Sequence, residues 1–136
     1  MVMDKYYSEI FEVEDGKVGG AILMGVCRGR ISEGLDFSDN AARCVLIVGI
    51  PYPMMTNSKV ILKKDYLDRK VANPLLPIQD RQLNGSKWYN QQATRAVNQA
   101  IGRVIRHVQD YGTIVLVDSR YAYTNNRNGI SRWLRD

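Results

Sequence analysis

The longest amphipathic pattern in the chain runs from Gln92 to Gly112. At about 100° per residue, its apolar positions recur at the i, i+3, i+4, i+7 spacing of a helix packed against a core. These apolar positions are Ala93, Val97, Ala100, Ile101, Val104, Ile105 and Val108. No carboxylate precedes Asp110 on the opposite sector, which carries Gln92, Arg95, Gln99, Gly102, Arg103 and Arg106. The pattern predicts one long helix with an apolar back and a basic front.

Three short, continuous apolar runs predict strands buried on both faces of a parallel sheet. They are 21–27, 43–50 and 113–118. Helical spacing predicts an amphipathic helix over Met3–Val13 and a second helix over Lys59–Val71. Ser86 is the expected N-cap of the long helix. Strands that alternate with helices predict an α/β layer fold with right-handed crossovers.

The composition fits a globular domain, or part of one, that can bury a core. The chain has 136 residues, of which 45% are hydrophobic and 24% charged. No apolar run approaches the roughly 20 residues of a membrane span, and no secretory segment is visible, so an intracellular setting is expected. The net charge of +5 mildly favours anionic partners. The distribution of the charge is more informative, since most of the arginines lie between Asn84 and Asp136.

The spacing Gln99-x-x-Gly102-Arg103-x-x-Arg106 suggests a phosphate-binding role. The guanidinium of arginine is a planar, permanently charged fork that suits phosphate oxygens. Gly102 removes a side chain where a bulky ligand can approach, although it costs about 1 kcal/mol of helix stability relative to Ala. The alternative interpretation is a solvated basic face with a glycine kept for helix packing.

The same spacing resembles motif VI of superfamily 2 helicases, QxxGRxxR. The longer run NQAIGRVIRHVQDYG is similar to the iron–sulfur DNA helicases of the xeroderma pigmentosum group D type, and within them to the regulator of telomere elongation and Fanconi anaemia group J helicases. The resemblance implies a RecA-like, P-loop-NTPase-type layer fold with a mainly parallel sheet. Residues 1–136 would form part of the second, C-terminal motor domain.

The resemblance also implies roles for the motif VI residues. Gln99, Gly102, Arg103 and Arg106 would face a triphosphate held by the first motor domain. Arg106 would be the arginine finger, with Arg103 assisting at the γ-phosphate. Negative charge builds on the phosphoryl oxygens as the bond breaks, and a positioned guanidinium contributes about 10³ to 10⁵ in rate.

The loop after the first apolar run, RGRISEGLDF over 28–37, follows the end of a predicted strand, where ligands bind in doubly wound sheets. It resembles motif V of the same helicases, (A/C)RGKxSEGxDF, with Arg30 in place of the lysine. The resemblance places the nucleotide near Glu33, Gly34 and Asp36, and DNA near Arg28 and Ser32. The alternative is a simple turn in which Ser32 caps a helix.

Three aromatic residues are further candidates for DNA contact. Tyr52 lies in Gly49-Ile-Pro-Tyr-Pro, after a predicted strand, where it could reach DNA. Trp88 and Tyr89 open the long helix and could stack on a base, but packing against a neighbouring element is the favoured interpretation.

Two further features are interpreted as structural. His107, the only histidine, is expected near the end of the long helix, where a cation interacts favourably with the helix dipole. This structural role is favoured over a role as general base or metal ligand. Asp118 and Arg120 resemble the D-x-R-(F/Y) run of the same helicases and predict a local salt link. No metal site is predicted in the chain.

Cys27 and Cys44 lie in apolar runs and are expected to be buried free thiols. An iron–sulfur cluster needs four ligands, so a cluster expected in the parent family would lie outside this chain. ATP with magnesium would likewise bind mainly to the absent first motor domain, because the chain has neither a G-x-x-x-x-G-K-(S/T) phosphate loop nor an Asp-Glu-Ala-His box.

The sequence therefore predicts the C-terminal motor segment of an ATP-dependent DNA helicase, inactive as an isolated chain. Its partners would be single-stranded DNA and the first motor domain in cis. By the resemblance it would act in the nucleus, in DNA repair and telomere maintenance. The alternative is a non-catalytic module that binds nucleic acid or a partner protein through its basic face. A third hypothesis is a nucleotide-binding domain without DNA contacts.

Overall fold

The computed structural model describes residues 2–12, 15, 19–29, 37 and 39–135. The chain forms two compact units, one of Met1–Val45 with Ala100–Ile114 and the other of Leu46–Gln99 with Val115–Asp136. The regular elements are α1 (Val2–Phe11), β1 (Cys44–Val48), α2 (Ser58–Ala72), α3 (Gly85–Ile101), β2 (Thr113–Val117) and α4 (Thr124–Gly129). Short 3₁₀ turns occur at Asp39–Ala41, Ile78–Arg81, Ser119–Ala122 and Arg132–Leu134.

Strands β1 and β2 pair in a parallel two-stranded sheet, as predicted for these two apolar runs. Thr113 N donates to Arg43 O at 2.8 Å, and Gly49 N donates to Val117 O at 3.0 Å. Ile47 is buried, with 2% of its surface exposed, whereas Leu46 and Val48 are 60% and 76% exposed. The prediction that β1 is covered on both faces is therefore wrong for the described residues.

The predicted strand over 21–27 is also wrong, because this segment has no regular structure. A strand requires a neighbour that accepts and donates ladder hydrogen bonds, and the sheet of the described residues contains β1 and β2 alone. Ile22, Met24 and Val26 are 89%, 85% and 81% exposed. Apolar character alone therefore did not make this run a strand.

The expected burial of the two thiols is wrong as well. Cys27 is partly exposed and Cys44, on the open face of β1, is exposed.

The two helices predicted in the first half of the chain are confirmed. α1 is anchored by the Tyr6 hydroxyl, which donates to Ala41 O at 2.8 Å. The side chain of Asn57 caps α2 by accepting from Lys59 N at 2.9 Å, and the helix buries Val60 and Leu67. Among the described helices, none combines the length and apolar character that a bilayer crossing requires.

Helix α3 begins one residue before the predicted cap. The side chain of Asn84, rather than Ser86, accepts from Lys87 N at 2.8 Å. The next residue, Gly85, has to be a glycine because a Cβ there would lie 2.7 Å from Lys64 O. Its N–H donates to the Asp68 carboxylate at 2.8 Å. Close approach to α2 therefore decides where α3 starts.

Helix α3 ends at Ile101 instead of continuing to Gly112. Arg103 N donates to Ala100 O and Val104 N to Ile101 O, the i to i−3 bonds of a tightened last turn. The apolar stripe is confirmed, because its members Ala93, Val97, Ile101 and Val104 are 1–4% exposed. Val108 is fully exposed, so its assignment to the stripe is wrong.

Candidate functional site

The loop from Gly102 to Gly112, which follows α3, carries most of the predicted phosphate-binding residues. Gly102 and Arg106 are exposed and Arg103 is partly exposed. Gln99 is exposed on the last turn of α3. Arg103 and Arg106 therefore lie on a loop beyond the helix end. Their positions depend on the side chains that hydrogen-bond to the backbone of this loop.

Asp110 is the main anchor of this loop, and its side chain has no exposed surface. Oδ1 accepts from Arg43 Nη1 at 2.7 Å and from Tyr111 N at 2.9 Å. Oδ2 accepts from Arg106 N at 3.2 Å. Burial raises the pKa of Asp110, but the hydrogen bonds from Arg43 and the two backbone N–H groups outweigh it and hold the pKa below its ordinary value.

Arg43 completes the anchor from the neighbouring segment. Its Nη1 also donates to Tyr111 O at 2.9 Å, and its Nη2 donates to Asn40 Oδ1 at 2.7 Å. The guanidinium lies 4.0 Å from the centre of the Tyr111 ring, a cation–π distance. A Cβ at Gly112 would be 3.2 Å from Arg43 O, so glycine lets the loop pass this close.

The sequence reasoning assigned no role to Arg43 or Asp110. One indication in the sequence was that Asp110 is the first carboxylate of its segment and lies a few residues after Arg106, the last residue of the motif VI spacing. Arg43 gave no signal, because its partner is distant in sequence and only the fold brings the two together.

His107 lies on the same loop, so its predicted place at a helix end is wrong. Its Nε2 is 3.0 Å from Asp39 Oδ1, and Asp39 has a left-handed backbone with φ of 50°. One ligand atom each from Asp39, His107 and Asp110 lie within 4.8 Å of one another. The Arg43 guanidinium already neutralises Asp110 and would repel a cation, so the cluster does not favour a metal ion.

Arg28 occupies a strained turn. Gly29 N donates to Val26 O at 3.0 Å, and Arg28 has φ of 66°, a value that favours glycine. A Cβ at Gly29 would lie 2.9 Å from Val26 O, which explains the glycine at the next position. The turn holds the exposed Arg28 side chain in a backbone conformation that arginine seldom adopts.

Tyr52 lies in a cluster of aromatic and charged side chains. Its ring stacks on Tyr89 with centroids 5.1 Å apart, and the Arg120 guanidinium is 5.8 Å from its centre. The Tyr89 hydroxyl donates to Pro53 O at 2.7 Å, as expected for a packing residue. Tyr52 also borders a small open pocket lined in addition by Ile50, Asn90, Ala93, Thr94, Val97, Tyr121, Asn126 and Ile130.

The predicted salt link between Asp118 and Arg120 is confirmed. Arg120 Nη2 donates to Asp118 Oδ2 at 2.7 Å, and Arg120 Nε and N both donate to Oδ1. The side-chain and backbone hydrogen bonds from Arg120 lower the pKa of Asp118 to about 2. Asp118 also caps the 3₁₀ turn Ser119–Ala122 and so fixes the chain after β2.

The helicase C-terminal domain family matches residues 2–136 of this chain. The chain belongs to that family. The regulator of telomere elongation helicase 1 homolog of Drosophila sechellia is 47% identical over 133 residues, which cover 98% of this chain and 13% of the relative. The homologs of Oryza sativa subsp. japonica and Arabidopsis thaliana are 48% and 47% identical over 126 residues, or 91% of this chain and 12% of each.

The resemblance to helicases of the xeroderma pigmentosum group D type, near the telomere elongation regulators, is thereby confirmed. This helicase C-terminal domain has the mixed helix and strand fold of a RecA-like layer. The chain spans 12–13% of the length of these relatives. The activity of a complete helicase is therefore a matter of proposal.

The predicted site residues that the structure describes belong to both compact units. One compact unit contains Arg28, Gly102, Arg103 and Arg106, and the other contains Gln99 and Tyr52. The remaining predicted residues, Ser32, Glu33, Gly34 and Asp36, lie outside the described residues.

Proposed function

We propose that this chain is the C-terminal motor segment of an ATP-dependent DNA helicase. The observation that carries the proposal is the loop after α3, which presents Arg103 and Arg106 while buried Asp110 fixes its backbone. A guanidinium stabilises a phosphoryl-transfer transition state only when it is held in place beforehand. The family match and the helicase relatives support the same function.

ATP with magnesium would bind mainly to the first motor domain. Arg106 would act as the arginine finger and Arg103 would assist at the γ-phosphate, with Gln99 and Gly102 beside the triphosphate. Within the 28–37 loop, Glu33, Gly34 and Asp36 would face the nucleotide. This chain contains no phosphate loop of its own, so it would contribute positioned arginine side chains to the reaction while the first motor domain binds the triphosphate.

Single-stranded DNA is the proposed nucleic-acid partner, contacted by Arg28, Ser32 and Tyr52. The strained turn at Arg28 supports its assignment, since positive φ in residues other than glycine is concentrated at functional sites. The ring of Tyr52 is already engaged by Tyr89 and Arg120, so its DNA contact is expected at the hydroxyl group. By analogy with the telomere-regulating relatives, the helicase would act in the nucleus on telomeric and damaged DNA.

An iron–sulfur cluster does not fit this chain. Clusters of the common types need four thiolate ligands, and the sequence has two cysteines. Cys27 and Cys44 are therefore assigned no role in cluster binding, and a cluster of the complete helicase would be held by other parts of the protein.

The test replaces Arg106 with alanine in the full-length helicase that contains this segment. Arg106→Ala should lower ATP turnover by about 10³ or more, because the transition-state charge loses its guanidinium, while nucleotide binding stays mostly intact. Turnover is measured by phosphate release and binding by a fluorescent ATP analogue. Arg95→Ala, which removes another exposed arginine from α3, is the control. A loss of only twofold in Arg106→Ala would remove the assigned role.

The second candidate function is a non-catalytic module that binds nucleic acid or a partner protein. The absence of a phosphate loop and the net charge of +5 favour it for the isolated polypeptide. It predicts that Arg106→Ala weakens binding of the helicase to single-stranded DNA or to a partner protein by as much as it lowers ATP turnover. Fluorescence anisotropy with a labelled DNA strand, beside the turnover assay, distinguishes the two functions.

A further inference from the structure

Two residues outside the motif VI spacing hold the loop on which Arg106 lies. Asp110 accepts a hydrogen bond from Arg106 N through one carboxylate oxygen and from Arg43 through the other. We infer that Asp110 and Arg43 are positioning residues that set the direction in which Arg106 points. The inference rests on the proposed role of Arg106 as the arginine finger.

The bond from Arg106 N fixes the backbone at the residue that carries the proposed catalytic group. Oδ1 of the same carboxylate also accepts from Tyr111 N, so Asp110 ties together both ends of the stretch between Arg106 and Tyr111. The arginine side chain is long, and a small rotation at its backbone displaces the guanidinium by much more. A misplacement of about 1 Å at a reacting centre can cost about 10²-fold in rate.

Arg43 keeps the carboxylate of Asp110 from turning. Its Nη1 bonds both Asp110 Oδ1 and Tyr111 O, its Nη2 bonds Asn40 Oδ1, and its guanidinium lies over the Tyr111 ring. The Asp110 side chain is shielded from water, so this ion pair is screened far less than a surface pair. The planar fork matches these acceptors in a way that a lysine ammonium does not.

A second contact holds the same loop to the same segment. His107 Nε2 lies 3.0 Å from Asp39 Oδ1, and Asp39 and Asn40 belong to the 3₁₀ turn Asp39–Ala41, just before Arg43. The loop that presents Arg106 is thus attached at Asp110 and at His107 to residues that directly follow the stretch resembling motif V. Arg43 and Asp110 form the stronger of the two attachments, because Asp110 is buried whereas His107 and Asp39 are exposed.

The first experiment measures ATP turnover and KM in the full-length helicase. Asp110→Asn, which keeps the size of the side chain but loses its charge, should lower kcat about 10- to 100-fold with KM for ATP within about twofold. Arg43→Lys, which keeps the positive charge but loses the planar guanidinium, should also lower kcat. Asp65→Asn breaks the exposed pair with Arg69 on α2 and should leave both constants unchanged. The double variant Arg106→Ala/Asp110→Asn should be no slower than Arg106→Ala alone.

The second experiment measures amide hydrogen exchange in the same proteins. Asp110→Asn and Arg43→Lys should speed exchange across 103–109 while α2 keeps its protection. Unchanged kcat and unchanged exchange in both variants would overturn the inference, and so would faster exchange throughout α2 and α3, which indicates general destabilisation. If Arg106→Ala leaves turnover intact, the arginine-finger proposal fails. In that case local faster exchange still supports Asp110 as the loop anchor, and unchanged exchange refutes it.

Discussion

Single buried or strained residues determine how the exposed arginines of this domain are presented. The side chain of Asp110 has no exposed surface and accepts from three donors, of which one is the backbone N–H of Arg106. Arg28 adopts a φ of 66° in a tight turn. In both places a local cost, a desolvated charge in one and backbone strain in the other, is found next to an exposed arginine and is offset by surrounding contacts.

Arg28→Gly is expected to separate stability from DNA binding. Glycine adopts the positive φ without the strain of about 1 kcal/mol that other residues incur, so the melting temperature should stay level or rise. Losing one phosphate contact should weaken binding to single-stranded DNA and reduce the slope of log K against log salt by roughly 0.7. Fluorescence anisotropy over a salt series measures both. Arg28→Ala should lose the same affinity without the gain in stability; full affinity in both variants would exclude Arg28 from the DNA site.

Asp118 should make the domain sensitive to acid. Its folded pKa of about 2 lies below the unfolded value of 3.8, so the stability it contributes is fully present above pH 3.8. That contribution is lost as the pH falls from about 4 towards 2. Thermal unfolding followed at pH 5, 4, 3 and 2 should show a shallower fall for Asp118→Asn than for the unsubstituted chain. Ser119→Ala, a neighbouring exposed position without a titrating group, should follow the unsubstituted chain.

At the scale of the elements, helix α3 packs its apolar stripe into the core and leads directly into the loop that carries Arg106. Its apolar stripe continues past the helix end to Val104, which is 4% exposed although it lies in the following turn. The stripe could be predicted from the sequence because burial follows the period of 3.6 residues. The helix end could not, because Arg106 N is satisfied by the carboxylate of Asp110 rather than by a helical carbonyl.

Val104→Asp and Val108→Asp form a matched pair that tests this assignment. Val104 is 4% exposed and Val108 is fully exposed, although both belong to one predicted apolar stripe. An unpaired carboxylate at Val104 should cost several kcal/mol and unfold the domain at moderate temperature. The same change at Val108 should alter the free energy of unfolding by less than about 0.5 kcal/mol. Equal melting temperatures for the two variants, measured by circular dichroism, would contradict the described end of α3.

At the scale of the whole molecule, the proposed function assigns to this chain one side of a two-part active site. It carries Arg103 and Arg106 on the loop after α3 but has no phosphate loop and no Asp-Glu-Ala-His box. Leu46 and Val48 on β1 and Ile22 in the segment before it are exposed apolar residues. The helicase relatives are much longer than this chain, which spans 12–13% of their length.

The isolated 136-residue chain is expected to show no ATP turnover above background, with or without single-stranded DNA. Arginine fingers accelerate a reaction only on a triphosphate that another site binds, together with its magnesium ion. The measurement is phosphate release at high protein concentration, with the full-length helicase as the positive control. DNA-stimulated turnover by the isolated chain would show that it binds and hydrolyses ATP by itself.

The sequence by itself determined the family, the α/β class, helices α1 and α2, strands β1 and β2, and the buried stripe of α3. These features depend on local periodicity and on short motifs, which can be read along the chain. Tertiary structure alone decided where α3 begins and ends, that 21–27 is not a strand, and that Arg43 pairs with Asp110. The start of α3, the conformation of 21–27 and the hold on Asp110 depend on partners distant in sequence: Asp68 for Gly85, a neighbouring strand for 21–27, and Asp110 for Arg43. The end of α3 depends on a nearer side chain, because Asp110 accepts from the N–H of Arg106, four residues before it. Whether a backbone group is satisfied by its own helix or by a side chain is settled only when the fold brings that side chain near.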